Sequence, residues 1–351
     1  MDVNPVAMLA EARQLLRPIG WRGTVPGPAD LDGCLVFPRD RRARSFDGTA
    51  IAYSVHGSRG PWVALVPGFI CQDTFWTYLV PALQDAYRVI VWDPRGLGLS
   101  GMPRAPGYRA RKLTRDDFSV EAVARDLEAV LDAEGARKAA LIGHSMGGQT
   151  ILEAYRQFPE RISALVSLTA PFESPLRTFY GHDFSGMFRA FSAMAFAMPR
   201  PAIVLWRLLF VANPVFTHRV AQMLRALGPD AKVDDMHRYY RHLAFLDPLV
   251  VSKMAEAMHA HSAADVLPTV RVPTLVIAAT LDTFTPVSLA RFMHEQIADS
   301  ELVVVDGASH GAVVEKPSEV NAAVRSFLDL HLRPRAAVGA SEAEVPNVHR
   351  T

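Results

Sequence analysis

Short apolar runs alternate with amphipathic segments in two separate stretches of the chain. Apolar runs bounded by turn residues predict buried strands at residues 62–66, 89–92, 138–142, 162–169, 274–278 and 302–305. Apolar positions at helical spacing predict helices at residues 118–133, 148–156, 286–297 and 317–332. Strands that alternate with helices in this way predict an α/β protein with a mostly parallel central sheet, flanked by helices on both faces.

Residues 171–268 interrupt this alternation, because they contain no convincing pattern for a buried strand. Phenylalanine, leucine and methionine recur there at helical spacing, and seven of the twelve methionines fall between Met187 and Met258. A helical insertion within a sheet domain is typical of a cap or lid, and its methionines suit an adaptable apolar surface. The sequence therefore predicts a core of residues 44–170 and 269–332, with a helical cap at 171–268.

The two ends of the chain have different patterns. Residues 1–43 are interpreted as an N-terminal extension that contains a short amphipathic helix ending at Pro18, followed by a linker-like segment. A hairpin with a type I′ turn at Asp47-Gly48 is predicted to begin the core. Residues 333–351 lack periodicity and predict a disordered tail.

Composition excludes several classes of partner. The 37 basic and 36 acidic residues give a net charge of +1, which does not support nucleic-acid binding or a polybasic membrane anchor. The two cysteines, Cys34 and Cys71, do not form a disulfide framework, and we expect a cytoplasmic location without a signal peptide. Membrane contact through the apolar cap is a less favoured alternative.

The predicted strand at 138–142 is followed by the sequence Gly-His-Ser-Met-Gly at residues 143–147. A serine on so tight a turn between a strand and a helix needs unusual backbone angles, and Gly143 and Gly147 reduce the crowding there. Such a turn presents the Ser145 hydroxyl at a helix N-terminus, where developing negative charge is favoured. Ser145 is therefore the candidate nucleophile.

A serine hydroxyl needs a histidine as base and an acid to orient that histidine. Asp282 and His310 each follow a predicted strand, so both belong at the same edge of the sheet as Ser145. Glu173 is the rival acid. His144 adjoins Ser145, but adjacent residues on this turn should point in different directions, so His144 is not expected to be the base. A metal cluster of His259, His261 and Asp265 is disfavoured because no further ligand has suitable spacing, and no metal is predicted.

Negative charge that develops on a substrate oxygen needs hydrogen-bond donors. The amide of Met146, directly after the candidate nucleophile, is predicted to be one donor. The second is predicted to be the amide of Phe69, which follows the strand at 62–66, because Gly68 allows a close approach of the backbone. The side chains of Phe69 and Met146 would then flank the acyl group.

These motifs resemble the α/β-hydrolase superfamily, in its lidded serine esterase, lipase and haloperoxidase-like branch. The resemblance covers residues 44–331 and rests on five motifs: Pro67-Gly68-Phe69, residues 93–100, residues 143–148, Asp282 and residues 309–311. It implies an α/β-hydrolase fold and a triad of Ser145, Asp282 and His310. This chain has Pro67-Gly68 where relatives usually have His-Gly, so any bond that the histidine makes within that loop is absent.

The leading hypothesis is a hydrolase of carboxylic esters with a small, apolar acyl substrate, an acyl-enzyme intermediate and no cofactor. Within the resemblance, relatives that open epoxides use an aspartate nucleophile, and Ser145 argues against that chemistry. Hydrolysis of a lactone or thioester, or acyl transfer to another acceptor, remains an alternative on the same triad. A second class is a small-ligand receptor on this fold, which would retain its ligand without turnover.

Overall fold

The computed structural model describes residues 31, 33–103, 113–175, 214–244, 246 and 248–332, with isolated positions 186, 190 and 193. The helix predicted within residues 1–20 and the tail predicted at 333–351 lie outside these residues.

The described residues contain one eight-stranded sheet in the order β1-β2-β4-β3-β5-β6-β7-β8. Its strands are β1 Arg41–Arg44, β2 Ala50–His56, β3 Trp62–Val66, β4 Arg88–Trp92, β5 Ala139–His144, β6 Ile162–Leu168, β7 Thr274–Ala279 and β8 Ser300–Val305. β2 pairs antiparallel with β1 and β4, whereas β3 pairs parallel with β4 and β5, and the parallel ladder continues to β8. The prediction of a mostly parallel sheet is confirmed.

Helices flank the sheet. In the described residues, the α-helices with defined bounds are α1 Leu79–Leu83, α2 Val120–Ala133, α3 Met146–Gln157, α4 Pro214–Met223, α5 Val233–Ala244, α6 Pro248–Ala260, α7 Val287–Gln296, α8 Ala312–Glu315 and α9 Pro317–Leu332. The four helices predicted in the core correspond to α2, α3, α7 and α9, with ends within two residues. The short helices α1 and α8 had no prediction.

Strand β5 lies at the centre of the sheet, and all its residues are buried. Ala140 and Ile142 belong to the hydrophobic cluster on one face, whereas Ala139 and Leu141 belong to the cluster on the other face. Successive side chains of a strand point to opposite faces, so a strand covered on both sides must be apolar throughout. Because β5 is packed on both faces, its carboxyl end, where Ser145 follows, has a fixed position at the edge of the sheet.

The turn between β1 and β2 differs from the prediction. β1 ends at Arg44, and a three-residue loop of residues 46–48 follows, closed by a 2.9 Å bond from Ser45 N to Thr49 O. Gly48 has φ 84°, but Asp47 is outside the left-handed region, so the type I′ prediction is wrong. The Asp47 carboxylate accepts bonds from Thr49 N and Thr49 Oγ1, which favours this alternative turn.

Residues 33–40 pack on the core instead of forming a loose linker. The Arg39 side chain is 1% exposed and lies between the carboxylates of Asp73 and Asp93. Backbone amides of Val36 and Phe37 donate to Asp73. Charged side chains are buried only when paired, so these bonds explain why a polar segment can lie inside.

The region between β6 and β7 forms helices in its described residues, which agrees with the predicted helical content. Ala263 N donates to Phe172 O at 2.8 Å, so this insertion leaves and re-enters the core at neighbouring points. Helix α5 packs on the core through a 2.7 Å bond from Tyr78 Oη to Asp235. Among the described residues, no helix combines the length and hydropathy needed to cross a bilayer. The assignment of the insertion as a cap stays a prediction.

Candidate active site

Ser145 lies on the turn that joins β5 to α3, with φ 53° and ψ −127°. This backbone conformation is strained for a residue with a side chain. A Cβ added at Gly143 would lie 2.3 Å from Gly147 O, and one added at Gly147 would lie 2.2 Å from Val66 O. The two glycines predicted to relieve crowding therefore do so by allowing backbone contacts that no other residue permits.

The structure brings Ser145, His310 and Asp282 together. His310 Nε2 lies 2.9 Å from Ser145 Oγ, and His310 Nδ1 lies 2.9 Å from Asp282 Oδ2. A carboxylate only accepts hydrogen bonds, so Nδ1 carries the imidazole hydrogen and Nε2 is free to accept the serine proton. The imidazole is thus held in the tautomer that a general base requires.

Asp282 is buried, with its side chain 0% exposed. It accepts hydrogen bonds from Phe284 N at 2.8 Å, Thr285 N at 3.0 Å and Thr285 Oγ1 at 2.5 Å. Burial opposes the charge of Asp282, but the histidine and these bonds lower its pKa below the ordinary value. The group is therefore a carboxylate at neutral pH, and it is Asp282, not the rival Glu173, that contacts the imidazole.

His144 holds the backbone of His310. Its Nε2 lies 3.0 Å from the carbonyl oxygen of His310, which also accepts a 3.0 Å bond from Thr169 Oγ1. A carbonyl only accepts, so the His144 hydrogen is on Nε2. Burial, followed by the nearby His310, lowers the pKa of His144 to about 3, so this ring is neutral. His144 packs on Phe75, with ring centroids 4.9 Å apart, and it is His310, not His144, that lies within hydrogen-bond distance of the Ser145 hydroxyl.

Glu315, which the sequence analysis did not single out, fixes the loop before His310. Its carboxylate accepts from Ser309 N at 2.8 Å and from Ser309 Oγ at 2.6 Å. The carboxylate also lies against the backbone of the insertion, since a Cβ added at Gly228 would be 2.2 Å from Glu315 Oε2. A glutamate five residues after the histidine carries no signal by itself, because exposed glutamates are common.

The segment 67–72, the β3 loop, approaches the serine closely. A Cβ added at Gly68 would lie 2.7 Å from Ser145 Cβ, so only glycine fits there. Cys71 N donates to Gly68 O at 3.2 Å, and Ile70, between them, has φ 50°. Such a conformation is unfavourable for a β-branched residue and persists only where its surroundings enforce it. Phe69 lies within this tight turn.

Met146 is buried and is the first residue of α3, so its amide has no acceptor within the helix. The assignments of this amide and the Phe69 amide as oxyanion donors stay predictions. Cys71 adjoins the same turn, and burial raises the pKa of its thiol to about 12. The thiol is therefore protonated at neutral pH and a poor nucleophile.

Apolar and aromatic groups lie beside His310 and its neighbours. The Phe284 ring lies 5.0 Å from the His310 ring between centroids. Tyr239, on α5, lies edge-on to Phe75, with centroids 5.3 Å apart. Leu227 Cδ2 would be 2.7 Å from a Cβ added at Gly311. Residues of the insertion therefore lie directly against the loop that carries His310.

The histidines of the disfavoured metal cluster have other contacts. His261 Nε2 lies 3.1 Å from Glu153, and Arg156 bonds both Glu153 and Asp265. Three ligand atoms within 4.8 Å of one another belong to Glu121, Glu153 and His261. The guanidinium of Arg156 supplies the positive charge at Glu153, which disfavours a metal cation there.

The eight-stranded sheet and the strained serine turn at its carboxyl edge define an α/β hydrolase. The chain belongs to the α/β hydrolase fold family, whose model matches residues 61–317. A putative carbamate hydrolase, RutD, from Caulobacter sp. (strain K31) is 28% identical over 279 residues, covering 79% of this chain and 94% of that protein. Epoxide hydrolase A from Mycobacterium tuberculosis (strain ATCC 25618 / H37Rv) is 28% identical over 309 residues, covering 76% and 90%.

Among solved structures, a thermophilic esterase from Thermogutta terrifontis is similar, with a TM-score of 0.65 and 24% identity. The match covers 84% of this chain and 99% of that chain. At this level of identity the similarity shows the fold alone.

Proposed function

We propose that the protein is a serine hydrolase that cleaves carboxylic esters with an apolar acyl group. The observation that carries this proposal is the hydrogen-bonded chain from Ser145 Oγ through His310 to Asp282. A pure binding protein would not need all three groups in this order. The chemistry needs no cofactor.

In the proposed reaction, Ser145 Oγ attacks the substrate carbonyl while His310 Nε2 accepts its proton. Asp282 stabilises the imidazolium that forms. The amides of Met146 and Phe69 donate to the oxyanion of the tetrahedral intermediate. His310 then gives its proton to the leaving alcohol, and an acyl-enzyme remains on Ser145. Water, activated by His310, releases the acid and restores the serine.

The apolar substrate follows from the groups near the histidine. Phe284 adjoins the His310 ring. From the insertion, Leu227 reaches Gly311, next to His310, and Tyr239 reaches Phe75, which stacks on His144. The Glu315 carboxylate, close in sequence to His310, already accepts two hydrogen bonds from Ser309. The insertion would act as the cap that covers the acyl chain and excludes water.

The activities for which two of the relatives are named suggest which bonds this serine could cleave. A carboxylate that opens an epoxide forms an ester, which water can cleave, whereas a serine hydroxyl would form a stable ether. Ser145 therefore does not suit the activity that names the mycobacterial relative. A carbamate, by contrast, has a carbonyl carbon that a serine can attack. The similarity to the putative carbamate hydrolase makes carbamate cleavage the second candidate.

The first test is labelling with a fluorophosphonate, followed by mass spectrometry of the modified peptide. We expect one adduct per chain on Ser145, none on that peptide in Ser145→Ala and little labelling in His310→Ala. Ser54→Ala is the control, because Ser54 also bonds a histidine, His56, but is buried on β2, away from the triad. It should label like the wild type.

The second test separates the candidate functions. Nitrophenyl esters of increasing acyl length and the corresponding nitrophenyl carbamates are assayed side by side. Faster turnover of the longer esters supports the proposal, whereas faster turnover of carbamates favours the second candidate. A folded protein that retains an ester intact and takes no label would contradict both and leave the receptor alternative.

A further inference from the structure

Arg39 is a buried arginine whose hydrogen-bond donors are all used. Its contacts are Nε to Asp93 Oδ1 at 2.9 Å, Nη2 to Asp93 Oδ1 at 2.9 Å and Asp73 Oδ2 at 3.2 Å, and Nη1 to the carbonyls of Phe37 and Pro38 at 3.1 Å. Burial opposes its charge, but the two carboxylates raise its pKa above the ordinary value. Arg39 is therefore a fixed cation that joins three separate segments of the chain.

The two carboxylates that Arg39 bonds lie at the ends of different segments of the core. Asp93 directly follows β4, and its second oxygen accepts a 2.9 Å bond from Leu99 N. Asp73 is the first residue of a 3-10 helix, Asp73–Trp76, and directly follows the β3 loop. The β3 loop is thus held at its start by strand β3 and at its end by Asp73, which is bonded by Arg39 and by the amides of Val36 and Phe37. Arg39 supplies the one cation among these groups and also bonds the carbonyl of Phe37.

Only three residues separate Phe69 from Asp73, and Ile70, among them, is held in the left-handed region. A strained residue relaxes unless both sides of its turn are fixed. The contact between Gly68 and Ser145 fixes one side, and Asp73 is the nearest charged anchor on the other side. Release of Asp73 would let the turn relax and rotate the Phe69 amide.

We propose that Arg39 is a positioning residue for the oxyanion site, because it anchors Asp73 and thereby keeps the Phe69 amide aimed at the substrate oxygen. The inference rests on the proposed serine hydrolase function. Under this inference, residues 33–40 support the reaction, although they precede the family match at 61–317. Arg39 does not itself touch the substrate.

A matched control exists in Arg95. Its side chain is also 1% exposed, and it bonds Asp126 through Nε at 2.8 Å and Nη2 at 2.6 Å. This pair joins the loop after β4 to helix α2 and does not contact the β3 loop. Loss of either arginine leaves a buried carboxylate without its cation, so the two variants suffer similar structural damage.

The test compares Arg39→Met with Arg95→Met on an ester and on the matching thionoester. An oxyanion site stabilises a developing oxygen anion better than the larger sulfur anion, so the ratio of the two rates reports on its geometry. Complete loss of one oxyanion donor costs about 100- to 1000-fold in kcat. We therefore expect Arg39→Met to lower kcat for the ester at least about 10-fold, with KM little changed and the ester preference reduced.

Arg95→Met should keep the wild-type preference for the ester. Arg39→Lys guards against loss of folding, because lysine keeps the charge but lacks the planar five-donor group that bonds both carboxylates and both carbonyls. It should show a smaller loss of kcat in the same direction. Asp73→Asn should match Arg39→Met, and the double variant should lose no more than the worse single variant.

The outcomes separate the inference from the function on which it rests. If the wild type takes no fluorophosphonate label, the proposed function fails. If the wild type is active but Arg39→Met and Arg39→Lys keep its ester preference, or lose it only as Arg95→Met does, Arg39 is merely structural and the inference is wrong.

Discussion

Gly68→Ala gives a direct test of the geometry around Ser145. The added methyl would lie 2.7 Å from Ser145 Cβ, whereas two carbons in contact are normally about 3.5–4.0 Å apart. The β3 loop and the serine must therefore separate by about 0.8 Å or more. The methyl has no room on other sides, because His144 O would be 3.0 Å away and Cys71 Sγ 3.1 Å away.

A shift of this size matters more for the reaction than for folding. A donor 2.9 Å from an oxyanion would move to about 3.7 Å, beyond the range of a hydrogen bond. Misplacement of about 1 Å can cost about 100-fold in rate, and overpacking typically costs about 1–3 kcal/mol of stability. We expect kcat for a nitrophenyl ester to fall about 100-fold in a protein that remains folded.

The control is Gly101→Ala. A Cβ at Gly101 would meet Ala50 N at 3.3 Å, so it also introduces a tight contact, but far from the serine. Neither glycine is left-handed, so both substitutions act through space alone. Measurements of fluorophosphonate rate, kcat and thermal unfolding on both variants decide the matter. Wild-type kcat in Gly68→Ala would refute the close approach of the β3 loop to Ser145.

Three further predictions concern the groups behind the histidine. Asp282→Asn should lower kcat by about 10³- to 10⁴-fold, because an amide at that place favours the wrong imidazole tautomer. This is checked by measuring kcat and KM across the pH range, with KM expected to be unchanged. Glu315→Ala should lower kcat, because Ser309 loses both of its bonds to the carboxylate. Glu315→Gln should keep most of the wild-type kcat, because the glutamine oxygen can accept from Ser309 N and its amide can donate to the Ser309 hydroxyl. An equal loss of kcat in the two variants would contradict this. Burial lowers the pKa of His144 from 6.5 to about 3, so this ring binds a proton more weakly in the folded than in the unfolded protein. Its contribution to the free energy of unfolding is therefore present above pH 6.5 and is lost as the pH falls towards 3. Relative to His144→Gln, the wild type should lose about 2 kcal/mol of unfolding free energy between pH 7 and pH 5, measured by urea denaturation at each pH.

The sheet was predictable because buried parallel strands are apolar on both faces. The run at residues 62–66 coincides with β3, and the serine, aspartate and histidine follow from strands whose ends share one edge. Strand β1 was not predicted from its own residues, because its sequence, Arg-Arg-Ala-Arg, has no strand pattern; it pairs with β2 at the edge of the sheet. Helix α1 was missed because it has five residues, one of them Pro81, which is too short for a periodic signal.

The anchors around the site could not be predicted in the same way. Arg39 meets Asp73 and Asp93, and Glu315 meets Ser309 and Gly228, through contacts that depend on the folded chain. Arginine and glutamate are mostly exposed in proteins, so their presence in a sequence favours a surface position. Only the three-dimensional structure reveals that these charges are buried and bonded.

Strain and anchoring together account for how the site is held. Ile70, Ser145 and Thr169 are non-glycine residues with positive φ, and each such residue costs about 1–3 kcal/mol. Such conformations persist only if neighbouring contacts enforce them. For Ile70 the contact is the bond of Arg39 to Asp73, at the end of the β3 loop. For Ser145 it is the close approach of the neighbouring glycines, and for Thr169 it is the bond to the His310 carbonyl. Loss of an anchor should therefore relax the geometry in which a transition state is bound before it unfolds the protein. On this argument kcat falls while KM and the overall fold change little, which distinguishes these anchors from ordinary core contacts.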